Sequence, residues 1–144
     1  MTFVVDTSIA VKWLVDESDC EAAQNLLDTD ERLIAPDLVV VEAGNVLWKK
    51  IRRGEITSHQ AVLGIQELPT YFEQLVRSTP LVARAIAIAA QIGHPVYDDC
   101  LYLACAEHFE VPLVTADARL ASLARTSSSG VQVVPLSDLN HPQR

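Results

Sequence analysis

The sequence predicts an α/β domain built on a central, mostly parallel sheet of about four to five strands, flanked by helices on both faces. Three observations predict it. Short apolar, β-branched runs recur along the chain, at Thr2–Val5, Leu33–Ala35 and Pro112–Thr115. Helical segments separate them, as crossovers between parallel strands require. The chain has 144 residues, 49% hydrophobic and 21% charged, which suits one folded core and not a disordered chain.

Taken in order, Thr2–Val5 is the first strand and Ile9–Val15 the first helix. Asp19–Leu27 is a second helix, ending in the polar stretch Asp28–Arg32. Leu33–Ala35 is a brief strand closed by Pro36, which has no amide hydrogen to donate. Asp37 reads as the N-cap of a long helix, Leu38–Arg53, that Gly54 stops. Lys49, Lys50, Arg52 and Arg53 fall in its last turns, where the helix dipole favours positive charge. Thr57 and Gln60 make a capping-box pattern for a helix running to about Leu68. Phe72–Val76 reads as a short strand, and Pro80–Ile92 as an Ala-rich helix stopped by Gly93. Asp98–Phe109 is helical, Pro112–Thr115 a strand, Ala118–Arg125 a short helix and Val131–Val134 the last strand, after a flexible turn at Thr126–Gly130. No repeat or long linker divides the chain, so residues 1–144 read as one domain with a peripheral tail at 137–144.

A net charge of −8 argues against broad electrostatic wrapping of duplex nucleic acid, and leaves room for local, metal-assisted contact. Cys20, Cys100 and Cys105 have apolar neighbours and no paired spacing, the pattern of reduced, buried thiols in a cytosol. No targeting segment is visible. The N-terminal apolar stretch is broken by Asp6 and Lys12 and is far too short to span a bilayer. The expectation is a cytoplasmic protein.

The acids carry the chemistry. In a parallel sheet covered on both faces, ligands sit beyond the carboxyl ends of the strands. Asp6 directly follows the first strand, and Asp117 follows Pro112–Thr115. Glu42 is the only ionisable residue in LVVVEAGNVLW, a helix apolar nearly all round and so expected to be largely buried. Asn45 shares roughly its face. Asp98 and Asp99 open another helix. Each acid has an ordinary structural explanation as well, as a helix cap or, for Glu42, as half of an ion pair. Together, however, they occupy positions that can converge on one edge of the sheet. Carboxylates so gathered need protons or cations, and oxygen donors without a His or Cys cluster suit Mg2+ or Mn2+. His59, His94, His108 and His141 are dispersed, which gives no acid–base pair for metal-free chemistry.

The stretches VVDTSIAVKW, PDLVVVEAGNVLW, HPVYDDCLYLACAE and LVTADARL resemble, in order and spacing, the PIN-domain ribonucleases, and among them the VapC-type toxins of bacterial toxin–antitoxin pairs. The resemblance runs to about Leu136. It implies a single PIN-like domain and an endoribonuclease that hydrolyses RNA phosphodiester bonds with Mg2+ or Mn2+, leaving a 5′-phosphate and a 3′-hydroxyl. The family's acidic quartet carries over onto Asp6, Glu42, Asp99 and Asp117. Tyr97 is followed by two aspartates where the family usually has one, so Asp98 is the alternate to Asp99, and the register of Leu101, Leu103 and Ala104 favours Asp99. Asp6, Glu42 and Asp99 would hold the principal ion, and Asp117 a second ion or the attacking water. Thr7, Ser8, Asn45 and Thr115 match positions of polar support for these ligands. Lys12, Lys49, Arg53 and Arg119 are candidates for RNA contact. A toxin of such a type II pair would be held inactive by a cognate antitoxin, with Trp13, Leu14 and Trp48 as candidates for its groove or for a homodimer face.

Two other readings compete. A Mg2+-dependent phosphatase of the haloacid-dehalogenase type also has an aspartate after its first strand. It needs a second aspartate two residues on, where this chain has Ser8. A non-catalytic interaction module would use the same acids only as caps and surface ion pairs.

Overall fold

A computed structural model describes residues 1–93, 97–125 and 130–140. The chain runs β1 (Thr2–Val5), α1 (Thr7–Leu14), α2 (Cys20–Leu27), β2 (Arg32–Pro36), α3 (Leu38–Arg52), α4 (Ser58–Glu67), β3 (Gln74–Val76), α5 (Val82–Ile92), α6 (Tyr97–Phe109), β4 (Leu113–Thr115), α7 (Ala118–Arg125) and β5 (Val133–Pro135). Single 3-10 turns lie at Leu68–Tyr71, Thr79–Leu81 and Leu136–Asn140.

The five strands form one sheet in the order β3-β2-β1-β4-β5, and every neighbouring pair is parallel. From β1 the chain steps outward to β2 and β3, then returns to the other side of β1 for β4 and β5. Right-handed crossovers put α1–α4 on one face of such a sheet and α5–α7 on the other. The packing agrees: α1 touches α2, α3 and α4, whereas α5 packs on α6, which lies against β1 and β2. The core sits at the sheet centre, where Val4, Val5, Leu113 and Val114 are fully buried. Seven consecutive residues of α6, Cys100–Ala106, are buried over it. Burial pushes the Cys100 and Cys105 thiols up to about 11 and about 12, and both are free.

Much local chemistry is as the sequence suggests. Thr57 and Gln60 exchange both bonds of a capping box, at 2.9 and 3.1 Å. Gly93 ends α5 in the left-handed region, at φ 65°. The first helix begins two residues earlier than expected because Asp6 caps it: its side chain accepts the Ile9 N–H, so Thr7 and Ser8 fall within the first turn.

Four expectations change. First, α3 is not apolar-and-buried all round. Val39, Ala43 and Leu47 face the core, while Val41 and Trp48 are 63% and 58% exposed. Second, Asp37 does not cap α3. The Leu38 N–H donates to Ser78 Oγ (3.1 Å), whose hydroxyl donates to Asp37 Oδ1 (2.6 Å). Third, Asp19 precedes α2 in the left-handed conformation and makes no capping bond. Fourth, the last strand is Val133–Pro135, because pairing with β4 starts at Leu113 opposite Val133. Trp13 belongs to the core, and its indole N–H donates to Ala23 O at 2.8 Å.

The turn at Leu136–Asn140 packs against α2, with Leu136 buried. The expected turn at 126–130 lies outside the described residues except for Gly130, as do His94 and His141; His59 and His108 are exposed. Among the described residues, no helix is long and apolar enough to cross a membrane.

Candidate active site

The strand order reverses between β1 and β4, which opens a crevice at their carboxyl ends. Asp6 follows β1; Thr115 ends β4, and Asp117 stands two residues beyond. Glu42 comes from the second turn of α3, Asp98 and Asp99 from the first turn of α6. All five carboxylates line a single cavity of about 490 Å³, with Thr7, Ser8, Lys12, Asn45, Lys49 and Tyr102 around them. A larger groove, about 920 Å³, opens between α1, α2 and α4, and none of these five acids lines it.

Asp6 is 5% exposed and is held on both oxygens. The Ser8 hydroxyl donates to Oδ1 at 2.5 Å, and the Thr115 hydroxyl donates to Oδ2. Those hydroxyls are themselves fixed: Ser8 Oγ accepts the Ala116 N–H and Thr115 Oγ1 the Asp117 N–H, each at 2.9 Å. The backbone after β4 therefore aims two hydroxyl protons at the carboxylate after β1. Burial pushes the Asp6 carboxyl up to about 6; the Ser8, Thr115 and Ile9 hydrogen bonds oppose the rise, and the negative charge of Asp99 adds to it. Ser8 stands where the phosphatase reading needs an aspartate, and its one proton is committed to Asp6.

Glu42 is half-buried, not fully enclosed. Its Oε1 accepts from the Thr7 hydroxyl at 3.0 Å and from the Tyr102 hydroxyl. Burial raises its pKa, the two hydroxyls pull it back, and the charges of Asp98 and Asp99 push it up again. Tyr102 is 1% exposed. Burial and the charge of Glu42 hold its hydroxyl far above the usual tyrosine range, so it remains a protonated donor. Asp99 acts electrostatically on both Asp6 and Glu42, and Asp98 on Glu42.

Asp117 is a helix cap as well as a cavity residue. Its Oδ1 accepts the Arg119 N–H at 2.9 Å and the Leu120 N–H at 3.4 Å. The Arg119 Nε lies 3.7 Å from the same oxygen. The capping reading and the cavity reading are thus both realised at Asp117, as they are at Asp6.

The donor chemistry fits a hard divalent cation. The donors are all oxygens, and Asp6 Oδ2, which accepts only the Thr115 hydroxyl, keeps a lone pair free. The spacing is looser than that of a formed metal site: among the described residues, no three His, Cys, Asp or Glu side chains stand close enough to hold one ion.

The basic candidates separate. Lys12 lines the cavity but is 8% exposed, and its ammonium donates to Ser18 O at 2.6 Å beside Glu17. Lys49 is exposed at the cavity rim. Arg119 is exposed beside Asp117. Arg53 is exposed and does not line the cavity. Tyr102 is the functional candidate that sequence reasoning missed. A half-buried Glu42 in an apolar stretch signals that some donor must reach it, without saying which.

The PIN domain family matches residues 3–126, a span that includes all five acids. Ribonuclease VapC3 of Pyrobaculum aerophilum is 36% identical over 123 residues, covering 84% of this chain and 93% of that protein. Two solved structures share the fold. The crystal structure of PAE2754 from Pyrobaculum aerophilum matches with a TM-score of 0.72 at 23% identity, covering 96% of this chain and 92% of that one. VapBC2 from Rickettsia felis, solved bound to a DNA fragment from its promoter, matches with a TM-score of 0.67 at 13% identity, covering 94% of this chain and 98% of that one. With the family match over most of its length and a VapC ribonuclease above 30% identity, this chain belongs to the PIN domain family and, within it, to the VapC group.

Proposed function

We propose that this chain is a divalent-metal-dependent endoribonuclease that hydrolyses RNA phosphodiester bonds, and the toxin of a toxin–antitoxin pair. The observation that carries the reading is the gathering of Asp6, Glu42, Asp98, Asp99 and Asp117 on one cavity at the strand reversal. The relationship to a protein named as a ribonuclease supports it.

In this reading Asp6, Glu42 and Asp99 hold the ion, with Asp98 as the alternate to Asp99. When bound, Mg2+ or Mn2+ supplies charge neutralisation at the phosphate and lowers the pKa of a water. The rest is the work of the chain. Ser8 and Thr115 fix the direction of Asp6, and Thr7 holds Glu42. Asp117 orients the attacking water through Oδ2, since its cap bonds fall on Oδ1. Asn45 at the rim hydrogen-bonds substrate or water, and Lys49 and Arg119 meet the RNA backbone. Lys12, tied to Ser18 and Glu17, shapes the cavity wall instead of reaching into solvent.

The partner we propose is an antitoxin protein seated in the 920 Å³ groove, which Leu14, Leu47, Ile56 and Leu63 line. Exposed Val41 and Trp48 on α3 are the proposed homodimer face. The cytoplasm is the proposed compartment.

The test is cleavage of a mixed RNA substrate by the parent and by Asp6→Asn, with Mn2+ and with EDTA. The expected result is cleavage by the parent with metal only, giving 5′-phosphate ends, and none by the variant. Equal cleavage in EDTA, or 2′,3′-cyclic phosphate ends, would overturn the metal mechanism.

A further inference from the structure

We infer that Tyr102 is a positioning residue of the active site: together with Thr7 it fixes one carboxylate oxygen of Glu42, so that the other is presented to the cavity. This rests on the metal-dependent reading above and extends it to a residue outside the acidic set.

Tyr102, Thr7 and Glu42 Oε1 form a triangle: both hydroxyls reach Oε1, and the two hydroxyl oxygens are 2.7 Å apart. Each hydroxyl has one proton. Tyr102 donates its proton to Oε1, and Thr7 directs its own toward the same oxygen, with the Tyr102 hydroxyl oxygen close enough to share it. Among the described residues, the side-chain hydrogen bonds of Glu42 all fall on Oε1. Oε2 is the oxygen left for a ligand.

The hydroxyl is not needed for packing. The ring of Tyr102 is buried in the core formed by α6 and its neighbours, where phenylalanine fills nearly the same space. What the hydroxyl adds is a bond to a residue 60 positions away in sequence, on another helix. The arrangement also repeats the one at Asp6. There, Ser8 and Thr115 supply two hydroxyls from two elements; here, Thr7 and Tyr102 do so. Thr7 and Ser8 are neighbours in the first turn of α1, so one anchor of each carboxylate comes from the same turn. Groups that orient a metal ligand in this way are commonly worth roughly 10–100-fold in metal affinity or activity.

The experiment is a calorimetric titration of Mn2+ into the parent, Tyr102→Phe, Thr7→Val, Glu42→Ala and the double variant Tyr102→Phe with Glu42→Ala, with metal-free melting temperatures for all. The expected result is a roughly 10-fold loss of Mn2+ affinity in Tyr102→Phe, a smaller loss in Thr7→Val, and less than a 2-fold effect of Tyr102→Phe once Glu42 is alanine. At saturating metal, kcat on RNA falls in Tyr102→Phe while KM is unchanged. Parent-like Mn2+ affinity in Tyr102→Phe overturns the role of Tyr102 and leaves the metal reading standing. An equal loss in the Glu42→Ala background overturns it too, because Tyr102 would then act through another group. No Mn2+ binding by the parent overturns the metal reading itself. If Tyr102→Phe does not fold, Thr7→Val against the same Glu42→Ala background carries the test with the same criteria.

Discussion

Asp6 and Asp117 stand just past two neighbouring parallel strands, and each caps the helix that follows, accepting an amide three residues on at 3.4 Å. The local motif is the same, and the two carboxylates still differ. Asp6 is almost wholly enclosed, held on both oxygens by hydroxyls, and pushed up to about 6 by burial. Asp117 has a side chain 28% exposed and an arginine 3.7 Å from one oxygen. The difference comes from place in the sheet. Asp6 follows the central strand, flanked by β2 and β4, while Asp117 follows a strand one step nearer the edge. Capping is decided by a few adjacent residues; the cost of carrying charge is decided by what the rest of the fold packs around it.

Four experiments test that contrast. The largest effect is expected from Asp6→Asn, which should reduce metal-dependent RNA cleavage by at least about 100-fold. Asparagine also caps helices, and it is neutral, so the metal-free variant should melt no lower than the parent at pH 7.5. A parent-like rate would remove Asp6 from the chemistry.

The second is the pH dependence of the metal-free parent. The folded protein holds the Asp6 proton more tightly than the unfolded chain, whose carboxyl titrates near 3.8. Stability is therefore highest below about pH 4 as far as this group is concerned, and falls as pH rises through about 6, by about 3 kcal/mol in all. Glu42, also raised, acts in the same direction. Urea unfolding in EDTA across this range should show the loss; saturating Mn2+ or Asp6→Asn should flatten it. A rise in stability with pH that Asp6→Asn leaves unchanged would show that other carboxylates dominate.

Thr115→Val is next, because this hydroxyl serves both strand ends: it donates to Asp6 and accepts the Asp117 N–H. Denaturant unfolding should show a loss of about 1–3 kcal/mol. No change would mean that water replaces it and the two ends are independent. The smallest stability effect belongs to Asp117→Asn. It should lie within about 0.5 kcal/mol, since both residues cap well, while cleavage falls by less than in Asp6→Asn. A stability loss as large as that of Thr115→Val would show that the charge of Asp117, and not its cap, supports α7.

What could be read in the sequence was what neighbouring residues decide. Thr2–Val5, the Thr57–Gln60 capping box and the Gly93 stop depend on a few adjacent residues, and each formed as expected. The acids at the strand ends were legible because a strand's end fixes where the next side chain stands. Two features were not. The cap of α3 comes from Ser78, some 40 positions away, and the anchor of Glu42 comes from Tyr102, 60 positions away. The exposure of Val41 and Trp48 was hidden for a related reason: an apolar run of this kind does not say which of its residues meet the core and which meet solvent.

The bond from Thr115 to Asp6 spans 109 residues. A chain emerging from the ribosome makes β1 first and β4 near the end, so its first acid waits, without its cradle, for most of synthesis. Closing so long a loop is slow relative to local helix formation. Any product truncated before β4 lacks the hydroxyl, the reversal crevice and Asp117 together. Assembly of the acidic cavity is thereby a late event in the life of each molecule, and a partly made chain carries the acids without the site.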